Sequence, residues 1–192
     1  MSQPATVREM EGPEFPPAGE YELDLAHTQV EFVSRHMLTK VRGRFTSFGG
    51  SLAIAERPED SHVEIEIESA SIQTNMEMRD NHLKGADFLD VENFPKLTFT
   101  STQVRLAGGN TFQLVGDLTI KDVTREVVLD AEYDGSGPGL RGGQLVAFSA
   151  KTEIDREDWG ITWNMAVETG GLLVGKKVQI EIAVEALLPD GE

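Results

Sequence analysis

The residues best equipped for chemistry gather in one short run, Arg79, Asp80, Asn81 and His82. A cation, a carboxylate and an imidazole so close together would serve general acid–base catalysis if a substrate came within hydrogen-bonding reach. The same residue types also anchor helices through ion pairs, and that structural reading is preferred here. His27, His36 and His62 are scattered, and no two histidines stand four residues apart on a helix as zinc ligands do. No metal site is therefore expected. The absence of cysteine removes thiolate nucleophiles and disulfides alike. Gly137-Pro138-Gly139-Leu140-Arg141-Gly142 has the spacing of a dinucleotide-binding loop, but it lies between strand-like segments and no helix follows it. With no Gly-x-Ser-x-Gly elbow either, no catalytic residue and no catalytic cofactor are assigned.

What would position these residues is a succession of β-strands. Apolar residues recur at every second position, the period of a half-buried strand. Over residues 62–69, Val63, Ile65 and Ile67 alternate with Glu64, Glu66 and Glu68. The same alternation runs through 29–32, 112–120, 123–133, 146–154 and 178–184. With 21–25, 41–54 and 96–106, the count reaches about eight or nine strands. Apolar parity shifts between Phe45 and Phe48, beside Gly49 and Gly50, and again between Phe99 and Val104. Such shifts mark the bulges and bends by which a sheet curls shut. Short turns at Ala107-Gly108-Gly109-Asn110 and Lys121-Asp122 join consecutive strands, which requires antiparallel neighbours. Residues 134–143 read as a longer, glycine-rich loop.

One helix interrupts the strands, at about 75–84. Thr74-Asn75-Met76-Glu77 has the form of a capping box, and Gly85 supplies a stop. A lone helix inserted among barrel strands is expected to act as a lid or plug. A short helical turn is expected near 155–159. Residues 1–18, with Pro4, Pro13, Pro16 and Pro17, read as an irregular arm. Residues 19–188 read as a single all-β domain, a closed antiparallel barrel.

The charge balance narrows the partners. Seventeen basic residues face 33 acidic ones, a formal net charge of −16. That field repels nucleic acid and anionic membranes. No apolar run approaches the roughly 18–20 residues that cross a bilayer, so stable membrane insertion is not expected. The first twenty residues hold no apolar stretch after a basic start, which gives an expectation of a cytoplasmic protein. Pairing of two barrels into a homodimer is left open.

The interior decides the ligand. Ser34, Gly43, Gly116, Ala131 and Ala150 have inward parity among Phe, Leu, Ile and Val. Small residues there either leave room or let strands pack tightly, since a small barrel can hold one ligand or fill itself. A hollow one would take a long apolar hydrophobic small molecule. Candidate wall residues on the strands are Phe32, Phe45, Ile65, Ile67, Phe99, Phe112, Leu114, Leu118 and Phe148. Met76, Leu83, Phe88 and Phe94 join them from the helix and the segment after it, and Trp159 and Trp163 from the mouth. His36, Arg79, His82 and Arg125 are candidates to hold a polar head group at the rim, with Thr152 as a further inward polar residue.

Six blocks in order resemble the YceI-like family. They are Asp24-Leu25-Ala26-His27-Thr28 with Val30, Phe32 and His36, then Val41-Arg42-Gly43-Arg44-Phe45, then Arg79-Asp80-Asn81-His82-Leu83. Asp87-Phe88-Leu89-Asp90 with Phe94-Pro95, Phe99 and Ser101 comes next, followed by Gly116-Asp117-Leu118-Thr119-Ile120-Lys121 and Arg156-Glu157-Asp158-Trp159-Gly160. The likeness runs from about residue 19 to 187. Two positions depart from it: Thr28 stands where serine is usual, and Asp122 where glycine is usual. The second should affect only the turn, because Asp tolerates left-handed backbone. The resemblance implies a lipocalin-like barrel that binds a polyisoprenoid, prenylquinone-like or fatty-acid-type lipid in its lumen, with no established catalytic residues. It also implies that many relatives are exported. Two other functions stay open at this point: an enzyme acting on a hydrophobic substrate in the barrel, engaging His82 or Arg79, and a structural or partner-binding barrel with a filled core.

Overall fold

The structure, a computed structural model, describes residues 15–140, 142–168 and 170–190. Most of the N-terminal arm (1–14) and Arg141 of the glycine-rich run lie outside the described residues. In chain order the strands are β1 (Gly19–Leu23), β2 (Gln29–His36), β3 (Thr39–Phe45), β4 (Phe48–Ile54), β5 (His62–Glu68) and β6 (Ile72–Gln73). After helix α1 (Glu77–Lys84) come β7 (Lys96–Gly108), β8 (Thr111–Ile120), β9 (Val123–Pro138), β10 (Gln144–Asp155) and β11 (Val174–Leu188).

Every strand pairing is antiparallel, and the register shows why eleven segments make eight staves. β1 and β2 both lie against β11, β4 and β3 against β1 and β2, and β5 and β6 against β4 and β3. The first six segments are therefore three long strands, each broken once. With β7 to β11 they form an up-and-down barrel of eight strands, closed where β11 meets the first. Closure pairs every stave along part of both its edges, which limits the free edge open to another chain.

Side chains splice the breaks. At the first, Asp24 Oδ1 accepts from the backbone N–H of Ala26 (3.0 Å) and His27 (3.3 Å). Thr28 Oγ1 then donates to Glu185 O and accepts from Glu185 N, both at 3.1 Å, doing the work of a peptide group in the ladder to β11. The second and third breaks are tied together: Thr46 N donates to Ser71 O (3.3 Å) and to Ser71 Oγ (3.2 Å). Beside the second break, a Cβ on Gly50 would lie 1.9 Å from Glu64 O, so only glycine lets β4 approach β5 there. The parity change in β7 is a bulge between Ser101 and Gln103.

Three local expectations need correction. Residues 134–138 are not loop: β9 continues to Pro138, pairing with β10 through a register shift at Ala147/Phe148. Gly135, at φ 134°, supplies a backbone conformation that other residues would resist there. In the β8–β9 turn the left-handed residue is Lys121 (φ 57°) rather than Asp122. The helix is shorter than 75–84, and the reciprocal capping box is not made. Asn75 turns left-handed (φ 60°), which moves the N-cap to Met76, a residue with no capping side chain. Thr74 is instead a hub: its N–H and its hydroxyl both donate to Asp80 Oδ1. Arg79 donates to Thr74 Oγ1 (2.7 Å) and Thr74 O (2.8 Å). Arg79 and Asp80 thus clamp the helix to the end of β6, as the structural reading expects. The short turn near 155–159 is a 3-10 helix, Arg156–Trp159.

Two apolar clusters lie toward the barrel's two ends, and their side chains also wall its interior. One, built on Ile67, Leu97, Leu118, Leu129 and Trp159, lies under α1 and the β10–β11 connection. The other, built on Tyr21, Leu52, Tyr133, Val146 and Ala186, lies toward the N-terminal arm, where Tyr21 donates its hydroxyl to Pro17 O (2.9 Å).

Candidate functional site

Within the wall that these clusters form the lumen is open, with a cavity of about 340 Å³, at the lower end of the range for small-molecule sites. All eight staves contribute to its wall, through side chains such as Val30, Phe48, Ile65, Leu97, Leu114, Val127, Ile154 and Ile180. A larger hollow of about 610 Å³ lies on the outer surface, where Gln113, Asp130, Glu132, Lys151 and Glu181 contribute. Charged and polar side chains make up much of its lining, whereas the lumen wall is almost wholly apolar, so the lumen is the candidate site.

The small inward residues divide into two kinds. Ser34, Ala131 and Ala150 do line the cavity. Gly43 and Gly116 do not leave room, because aromatic rings lie on them. A Cβ at Gly43 would fall 2.2 Å from Phe32 Cζ, and one at Gly116 would fall 2.5 Å from Phe99 Cζ. The glycines let those rings lie flat against the wall, and the lumen gains its space in that way.

Of the candidate wall residues, Phe32, Phe45, Ile65, Ile67, Leu83, Phe88, Phe99, Phe112, Leu114, Leu118 and Phe148 face the lumen. Four others do not. Met76 is 48% exposed, carried outward by the displaced N-cap. Phe94 lies under the Lys121 ammonium, 5.7 Å from its ring centre. Trp159 is buried in the core and donates Nε1–H to Leu118 O (3.1 Å), a bond that holds it at the barrel's end. Trp163 packs edge-on to His82 (4.7 Å) and against Phe88 (5.4 Å).

The four rim candidates are also placed elsewhere, each by a partner of its own. His36 pairs in register with Thr39 and Val174 at the strand ends. Arg79 is committed to Thr74, and His82 Nε2 lies 3.0 Å from Asp87 Oδ2. Arg125 has inward parity opposite Leu118, but it lies past the cavity and donates to Asp158 O (3.2 Å). Thr152 does line the lumen.

Many lining residues have no place among the sequence candidates, and those of the arm and of the β10–β11 connection are the most informative. Phe15 and Pro16, from the arm, line the arm end of the cavity, and nothing in their local pattern marks them. Arg156 lines the cavity too, and here a signal exists: the parity of Phe148, Ala150, Thr152 and Ile154 reaches it two residues on. Arg156 is only 5% exposed. Its Nε donates to Gly175 O (3.0 Å) and its Nη1 to Ile161 O (2.7 Å), which ties the β10–β11 connection together. Burial holds this guanidinium below the usual arginine range, with Glu157 and Asp155 pulling the other way. Both carboxylates are engaged outside, Glu157 with Lys176 (2.8 Å) and Asp155 with Lys177 (3.8 Å).

Among the described residues, Asp24, His27 and Glu185 are the group of three whose ligand-type atoms converge, within 4.8 Å of one another. They sit on the outer surface at the first strand break. The hydrogen bond to Asp24 (2.8 Å) raises the His27 pKa, and the same bond lowers that of Asp24. With the turn bonds already described, the group accounts for itself as the splice of β1 to β2.

A closed eight-stranded antiparallel meander around an apolar lumen, capped by one helix, defines a small hollow β-barrel of the lipocalin-like kind. The chain belongs to the YceI-like family, whose domain matches residues 21–186. It is 37% identical over 170 residues to a UPF0312 protein of Staphylococcus aureus, covering 86% of this chain and 95% of that one. Among solved structures it is similar to the YCEI protein of Campylobacter jejuni, at 26% identity and TM-score 0.70 over 80% of this chain and 88% of that chain. The fold also matches BcnA of Burkholderia cenocepacia, at 24% identity and TM-score 0.76, covering 85% and 99% of the two chains. It matches a polyisoprenoid binding domain from Saccharophagus degradans at 12% identity and TM-score 0.64, covering 88% and 98%. No described helix is long and apolar enough to cross a membrane.

Proposed function

We propose that this protein binds a long apolar lipid, of polyisoprenoid, prenylquinone-like or fatty-acid type, in its lumen and carries or sequesters it without chemistry of its own. The observation that supports this most is the cavity of about 340 Å³, walled by apolar side chains from every stave. Burial in such a space stabilises a ligand by about 0.8 kcal/mol per methylene, so five or six of them offset on the order of 4–5 kcal/mol of association cost. A hydrocarbon chain meets that requirement with few hydrogen bonds. The solved polyisoprenoid binding domain of the same fold supports the same reading.

The acid–base residues do not favour an enzyme. Arg79 and Asp80 are bound to Thr74, His82 is beside Asp87, and none of the three faces the cavity. The test is organic extraction of freshly purified protein with mass spectrometry of the extract, followed by titration with prenyl and fatty acyl chains. Lipid recovered from the protein, or saturable uptake of one lipid per chain, is the expected result. A protein that yields none and takes up none is not a carrier.

A further inference from the structure

We propose that Arg156, with Ser34 one tier away, is an anchor for the anionic oxygen head of the bound lipid, so that the cargo is an acid or phosphate lying with its head toward the α1 end. This rests on the carrier reading above and deepens it. Among the described residues, Arg156 Nη2 and Ser34 Oγ are the buried side-chain polar atoms with no hydrogen-bond partner. Both residues line the cavity. Their positions follow from the register: Val178 pairs with Ile154 on one side and with Ser34 on the other, so Ser34 shares the row of Ile154. Arg156 is the next inward position along the chain.

A buried donor left unpaired costs more than most hydrogen bonds return, and a buried charge without a counterion costs more again. Such a group in a native structure calls for a specific partner, and a bound ion or ligand is one that fits a cavity wall. Among the described residues no carboxylate forms an ion pair with Arg156; the nearest in sequence, Asp155 and Glu157, pair with Lys177 and Lys176. An acid head brings the acceptor that Nη2 lacks and adds its negative charge to those of Asp155 and Glu157. Ser34, able to donate or accept, suits a second oxygen of the same head or the atom that joins it to the chain. The backbone bonds from Nε and Nη1 fix the guanidinium plane, so Nη2 is held in place before a ligand arrives.

The test is a head-group series on the purified full chain, read by displacement of N-phenylnaphthylamine. Palmitate is compared with hexadecanol, and farnesyl phosphate with farnesol. The wild-type protein should prefer the charged member of at least one pair by about 10- to 100-fold, the range of a charge-assisted hydrogen bond. The pair with the larger ratio identifies the head as carboxylate or phosphate. Arg156→Met should abolish that preference while leaving hexadecanol and farnesol within about threefold of wild type, and Arg156→Lys should keep part of it. Equal affinity for charged and neutral members in the wild type overturns the anchor, as does a preference that survives Arg156→Met. The wild-type series needs no variant, so a misfolded Arg156→Met leaves the question answerable. Tight binding of the alcohols alone leaves the carrier reading standing without its anchor. Failure of all four probes, together with no lipid on extraction, removes the carrier reading itself.

Discussion

The Phe32 ring lies directly over Gly43 on the neighbouring strand, in a register pair, at a distance that excludes any Cβ at position 43. The glycine therefore governs lumen width without touching the lumen. Gly43→Ala should swing the Phe32 ring inward, lower stability by about 1–3 kcal/mol through overpacking, and reduce lipid uptake. Adding Phe32→Leu to that variant should restore uptake. Thermal melts together with stoichiometry of palmitate binding check both effects.

Thr28 offers a sharper distinction between side chains. Its hydroxyl both donates to and accepts from the backbone of Glu185. Thr28→Val keeps the shape and removes both bonds, and should cost about 1–3 kcal/mol in chemical denaturation. Thr28→Ser should fall within about 0.5 kcal/mol of wild type, because the hydroxyl is the part that acts.

The Asp24–His27 pair sets a pH dependence. His27 titrates above its ordinary 6.5, so its contribution is complete below that value and is lost as pH rises through the folded-state pKa. Asp24 titrates below its ordinary 3.8, so its contribution is complete above that value and is lost as pH falls through the folded-state pKa. Both are fully present between 3.8 and 6.5. The melting-temperature difference between wild type and Asp24→Asn should be largest in that window and shrink toward alkaline pH. NMR titration should move the His27 pKa back toward its ordinary value in the variant.

Thr74 and Asp80 carry the attachment of α1. Asp80→Ala strands the N–H of Thr74, a residue only 5% exposed, and should cost about 1–3 kcal/mol. Hydrogen exchange should quicken across 77–84 while β8 to β10 stay protected. An unchanged exchange pattern would mean that other contacts hold the helix.

The strands and their order were legible in the sequence because one face of each is buried, which imposes a period of two. Parity likewise placed Phe32, Ile65, Leu114 and Phe148 on the lumen wall. Parity fails where the chain leaves the ladder, and most of the misplaced residues lie there: Met76, Phe94, Trp159 and Trp163 belong to the helix and the long connections, and His36 to a strand end. The rim candidates failed for another reason. Arg79 and His82 have the composition of a site, but Thr74 and Asp87 occupy them, and partners so placed are visible only in the fold. Thr28 shows the converse, a departure from the family pattern that keeps the one atom the ladder uses.

On its far side β3 is paired only at Arg44 and Phe45, so residues 39–43 present unclaimed peptide groups at the α1 end of the barrel. A strand edge of this kind invites fibre growth between copies. Lys40 stands exposed on that stretch, while the guanidinium of Arg42 is taken up by Glu181 of β11 (2.8 Å), so Lys40 is the cation that a second copy approaching edge to edge would meet. A lysine on an exposed edge disfavours such growth, so the Lys40 charge, unusual on so acidic a chain, stands where the wall ends.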